Sequence, residues 1–169
     1  MIAQRAYDYL PERIHGLVLS ATSAAFGGRG GDWQEKFVSD RVAPLDTGLT
    51  IPQYAPKMLQ KMMNPDAEGS AVELVLQVVS RMREETFRAA IEAITHFEGR
   101  DILPKMNIPV LCIAGALDLT AAPPLVMEKM ANKITNAEYQ CMSNVGHFGW
   151  AENPQEFNQL VIDFIQRKF

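Results

Sequence analysis

Asn144-Val145-Gly146-His147-Phe148-Gly149-Trp150 stands between a strand-like run at residues 137–142 and an amphipathic stretch that closes the chain. Glycines on both sides of the histidine let the backbone turn sharply and bring an imidazole forward from a loop. A second stretch, Ile113-Ala114-Gly115-Ala116-Leu117-Asp118, has the same layout: the apolar run Val110-Leu111-Cys112-Ile113 enters a glycine turn and ends on an acid. In an open parallel sheet, ligands and reactive groups collect beyond the carboxyl ends of the strands. Asp118 and His147 both stand there, separated by enough chain for a crossover helix and a return strand. An acid and then a histidine, delivered by successive strand ends, suggest the last two members of a Ser…Asp…His triad.

Gly115-Ala116-Leu117-Asp118-Leu119-Thr120-Ala121-Ala122-Pro123-Pro124, then Gly146-His147, then Glu152-Asn153-Pro154, resemble the C-terminal half of an α/β-hydrolase. Within that superfamily the chain is most similar to the 3-oxoadipate enol-lactonase-like hydrolases of carboxylic esters and lactones. The resemblance reaches the first residue. Residues 1–19, from Met1-Ile2-Ala3-Gln4-Arg5 to Leu17-Val18-Leu19, resemble the helix that follows the nucleophile elbow and the strand after it. It implies an α/β fold with about three parallel strands, flanking helices and an inserted helical cap. Its segments would be 1–43 (post-elbow helix, strand and entry to the cap), 44–107 (cap) and 108–169 (acid and histidine). It also implies Asp118 as the orienting acid and His147 as the general base; Met58, Met62 and Trp150 are, from the residues themselves, the candidate substrate contacts. The departure is equally clear. The sequence contains no G-x-S-x-G and no version of that frame with Cys or Asp at its centre, and the His-Gly oxyanion segment expected further upstream is absent too.

Composition bounds the alternatives. The 169 residues are one domain's worth of chain, 47% hydrophobic and 21% charged, as in ordinary globular proteins. A net charge of −4 argues against a nucleic-acid partner, because there is no basic surplus to neutralise phosphates. No apolar run approaches the ~18 residues that span a bilayer, so no membrane partner is expected. Met1-Ile2-Ala3-Gln4-Arg5 has neither the basic start nor the apolar core of a secretion signal. Cys112 and Cys141 fall in expected core strands and read as small buried hydrophobes in a reducing, cytoplasmic setting. Neither has a second Cys or a His at ligand spacing, so no metal is expected, and no cofactor is implied.

Taken in order, residues 2–9 have a helical period that ends at Leu10-Pro11. Residues 16–21 read as a strand apolar on both faces, which suits a sheet covered on both sides. His15 reads as a strand-entry residue. Phe26-Gly27-Gly28-Arg29-Gly30-Gly31 is a flexible entry to the next helix, since no lysine follows in phosphate-loop register. Asp32 with Glu35 predicts a capping box and a helix to about Val42. From 44 to 107 the pattern is almost wholly helical, over 52–63, 70–83 and 84–97, a block of helices between two strands. Its methionines Met58, Met62 and Met63 either line a pliable pocket or only join helices to each other. His96 sits near a helix C-terminus, a structural position. Pro123-Pro124 opens a helix facing the core with Val126, Met127 and Met130. Asn153, Pro154 and Glu156 start the last helix, with Phe157, Leu160, Val161, Phe164 and Ile165 as its buried stripe.

In a triad, histidine takes the serine proton while the carboxylate holds its tautomer. Histidine suits this because its unperturbed pKa of ~6.5 lets it accept and return a proton near neutrality. Ser20 and Ser23 follow the first strand without the glycines of an elbow and are poor substitutes for a nucleophile. The expectation is therefore part of a Ser-His-Asp hydrolase for a small ester or enol-lactone. On this expectation the chain would start after its nucleophile and be inactive alone. The strand at 16–21 would be an open apolar edge, able to pair with the N-terminal half or with another copy. A non-catalytic binding or assembly module on the same scaffold is the alternative. The scaffold also serves cofactor-free haloperoxidases and dehalogenases.

Overall fold

Strand β2 (Val110–Gly115) is buried along its whole length. Among the described residues it is the middle of a three-stranded parallel sheet in the order β1-β2-β3, with β1 (Leu17–Ser20) and β3 (Ala137–Met142) as its neighbours. The register sets Leu19 beside Cys112 and Cys112 beside Tyr139. The computed structural model describes residues 1–26 and 32–169. The expectation for the glycine-rich loop falls largely on 27–31, outside the described residues.

Alternation along β2 divides the core in two, because successive side chains of a strand point to opposite faces. Val110, Cys112 and Ala114 pack with Tyr7 of helix α1 (Ile2–Tyr9) and with Met127, Met130 and Ala131 of α6 (Pro124–Ala131). Leu111 and Ile113 pack with Met142, Val145 and Phe164, the last from α8 (Pro154–Lys168). Phe164 is 2% exposed, and burying a side chain of that size stabilises by about 1.5–3 kcal/mol. The result is helix, sheet, helix, the arrangement that near-continuous apolar strands require.

Between β1 and β2 the described chain forms α2 (Asp32–Asp46), α3 (Ile51–Gln60), α4 (Ser70–Ser80) and α5 (Glu84–Thr95). Leu45, Ile51, Ala55, Val79, Phe87 and Ile91 give these helices a core of their own. The strand ladders receive nothing from this stretch; Glu98 makes one isolated antiparallel bridge to Ala25. A four-residue helix, α7 (Gly149–Glu152), follows the histidine loop. Asn153 then caps α8, its Oδ1 accepting from the Glu156 N–H at 3.2 Å.

Some residues lie elsewhere than the pattern predicts. Cys141 is exposed, because β3 is an outer strand with one neighbour among the described residues, and Gln140 and Cys141 near its end are less covered than the residues of central β2. Val126 and Ile165 are 42% and 49% exposed. The stripe of α6 is instead Met127, Met130 and Ala131, and Val126 is one step off it around the helix. Helix α2 runs on through Pro44 to Asp46, with Asp32 inside its first turn rather than before it. His15 and His96 are exposed, and His96 Nδ1 contacts the Glu92 carbonyl at 2.9 Å.

Candidate active site

Two glycines bring the acid loop and the histidine loop together. A Cβ on Gly115 would stand 1.9 Å from the carbonyl oxygen of Gly146, and one on Gly146 would stand 2.3 Å from that of Met62. Only backbone without a side chain fits at that separation. The chain leaving β2 is then held by backbone bonds. The Ala116 N–H donates to Met142 O and the Leu117 N–H to Val145 O, both at 2.9 Å. Asp118 follows with its side chain turned inward.

Asp118 is 1% exposed. Its Oδ1 accepts from the Ala121 N–H at 3.0 Å, and its Oδ2 from the Ala122 N–H at 3.1 Å and from Nδ1 of His147 at 2.6 Å. Burial works against ionisation here, but the His147 bond and the two amides outweigh it and hold the carboxyl below the ordinary aspartate range. An ionised carboxylate can only accept, so Nδ1 carries the proton and a neutral ring presents Nε2 as acceptor. Among the described residues Nε2 has no partner. The ring stands edge-on to Phe148, 5.0 Å between centroids, and borders a cavity.

That cavity has a volume of about 570 Å³ and walls that are mostly apolar. Met58, Met62 and Trp150 line it together with His147, beneath side chains of α2, α4 and α5. Met63 does not face it and is packed with Val72, Val75 and Ala151. Ser23 borders the cavity, but its hydroxyl donates to the Ala25 carbonyl at 3.0 Å, and Ser20 lies within β1. No cluster of three metal-ligating side chains occurs among the described residues, and no helix among them is long and apolar enough to cross a membrane.

Two residues escaped the sequence reading. The Arg41 guanidinium lies over the Phe37 ring, 3.3 Å from its centroid, at the cavity wall, and burial lowers its pKa. No pattern in the sequence marks it. Glu152 appears in the quoted motif without a role, yet its carboxylate accepts three backbone N–H groups, from Asn64, Gly146 and Phe148. An acid five positions after the histidine was the available signal.

Fold and site together define the C-terminal portion of an α/β-hydrolase fold. No family model matches the chain. It is similar to the pimeloyl-[acyl-carrier protein] methyl ester esterases of Neisseria meningitidis, 22% identical over 161 residues, and of Serratia marcescens, 25% identical over 172. These alignments cover 92% and 98% of this chain, which spans only 61% and 66% of the relatives' lengths. Among solved structures, a hydrolase from Pseudomonas aeruginosa superposes with a TM-score of 0.81 at 24% identity, covering 97% of this chain and 60% of that one. The enol-lactonase from Burkholderia xenovorans superposes with a TM-score of 0.77, also at 24% identity, with coverages of 96% and 60%.

Proposed function

We propose that the chain is the lid, acid and base portion of an α/β-hydrolase acting on a small carboxylic ester or enol-lactone. Asp118 orients the imidazole and stabilises its protonated form. His147 Nε2 takes the proton of an attacking hydroxyl and returns it to the leaving alcohol. The hydroxyl belongs to a G-x-S-x-G segment that these 169 residues do not contain. Residues 44–107 act as the lid, and Met58, Met62 and Trp150 contact the substrate. The observation that carries this reading is the 2.6 Å Nδ1–Oδ2 bond of a histidine that also borders an apolar cavity. A reducing cytoplasm suits its two free thiols.

The chain alone is proposed to be inactive, and β1 is its docking edge. Among the described residues β1 pairs with β2 only, so a row of backbone groups is open to another strand. That strand comes from the nucleophile-bearing half or from a second copy. The test is hydrolysis of a small activated ester by the chain and by His147→Ala. Each is assayed alone and co-expressed with the N-terminal part of a relative that carries G-x-S-x-G. Turnover that appears only on complementation and needs His147 supports the reading. Robust His147-dependent turnover by the chain alone sinks the claim of inactivity, and complemented turnover indifferent to His147 sinks its role as base. A binding module on the same scaffold is the second reading, favoured by the large apolar cavity in a sequence without an elbow. It predicts ligand uptake with no complemented hydrolysis.

A further inference from the structure

Three consecutive amides in the histidine loop alternate between two partners. The N–H groups of Gly146 and Phe148 donate to the Glu152 carboxylate at 2.9 and 2.8 Å, while the His147 N–H between them donates to the Met62 carbonyl at 2.8 Å. The same carboxylate takes the Asn64 N–H at 2.7 Å, and the Asn64 side-chain amide donates to the Asn144 carbonyl at 2.7 Å. Residues 62–64 thus run beside residues 144–148, joined by hydrogen bonds and by a carboxylate that belongs to neither stretch. Glycine at 146 permits this, since a side chain there would collide with the backbone of Met62 and Met63.

We propose that Glu152 is a positioning residue for His147, clamping the amides on both sides of the histidine and the corner after α3 into one arrangement. N–H groups in a loop have no ladder to satisfy them, and leaving them buried and unpaired is costly. A carboxylate is the side chain that can accept several at once, through bonds about twice as strong as neutral ones. Helix α7 is one short turn that folds the carboxylate back over the loop preceding it. With both flanking amides held, the ring direction follows, and Nδ1 meets Asp118. Met62 lines the cavity and also accepts from the histidine backbone. Contact with a ligand at Met62 and the aim of the base are therefore linked through a single clamp.

The inference rests on the reading of His147 as the base, but its test reads the ring without turnover. The nuclear magnetic resonance signal of the Nδ1 proton is assigned in the full chain by its loss in His147→Ala, with His15 and His96 as the other two histidines. In the wild type this proton is expected to exchange slowly. In Glu152→Gln, which keeps the size but loses one acceptor oxygen, it shifts or broadens away. The amides of Asn64, Gly146 and Phe148 then exchange about tenfold faster or more, as befits loss of a bond to a charged group. Glu156→Gln, a neighbouring acid at the start of α8, leaves all four signals in place. A folded Glu152→Gln with an unchanged Nδ1 proton overturns the proposal. If that variant does not fold, the wild type decides, since fast exchange of the three loop amides overturns it and joint protection supports it. Failure of the hydrolysis assay would leave these signals unaltered, so the two readings fail separately.

Discussion

Gly115 and Gly146 meet backbone to backbone, and that contact sets how far Asp118 lies from His147. An alanine at 115 would put its methyl 1.9 Å from a carbonyl oxygen, a distance that no rotamer change can relieve. Overpacking of ordinary side chains costs about 1–3 kcal/mol, and a clash with backbone lies at or above the top of that range. Gly115→Ala is therefore expected to lose about 3 kcal/mol or more in urea unfolding, and a loss below about 1 kcal/mol would contradict the packing of the two loops. Asp118 supplies a pH test. Its carboxyl is held below the ordinary range in the folded state, so its contribution to stability is present above the unfolded aspartate pKa of ~3.9. That contribution is lost as pH falls through the lower folded value. The gap in melting temperature between wild type and Asp118→Asn should be widest near neutrality and narrow below about pH 4. An equal gap at both ends would show that the carboxylate is not stabilised in its charged form.

Elements were more legible than their ends. The strand pattern at 16–21 and the apolar run at 110–113 marked β1 and β2 because buried parallel strands are apolar on both faces. The stripes of α4 and α5 were plain for the same physical reason, since each buries one side. What the sequence hid depends on tertiary placement. Cys141 looks like Cys112 in its local pattern, and only the order of the strands makes one outer and the other central. Glu152 looks like a helix-start acid, and its role appears only when the loop after α3 arrives beside it. The end of β1 was equally hidden. Ala21 takes φ +41°, alone among described non-glycine residues in having a positive φ, while its N–H donates to Ile113 O at 2.9 Å. That conformation costs an L-residue about 1–2 kcal/mol. Glycine would remove the penalty and give back about 0.4–1 kcal/mol through unfolded-state entropy. Ala21→Gly should thus raise stability by about 0.5–1 kcal/mol, measured by chemical denaturation. A clear loss would show that its methyl matters more than its backbone.

At the scale of the whole molecule, a sheet sandwiched between α1 with α6 and α8 carries the acid and histidine at one end, under a helical layer with its own core. The two cysteines sample this body at different depths. Cys141 is exposed, whereas Cys112 is wholly buried on the central strand, and burial pushes its thiol up to about 12. Thiolate is the reactive form, so Cys112 is silent while β2 stays closed. Central strands open only with the molecule as a whole. The chain thus carries its own stopwatch. A thiol reagent should consume one equivalent at once and the second at the tempo of complete unfolding, with both reacting at once in urea. Two fast equivalents in native buffer would mean that β2 is breached. A dye placed on the fast thiol then leaves the slow one to time how long each molecule survives before it opens, in single copies as well as in bulk.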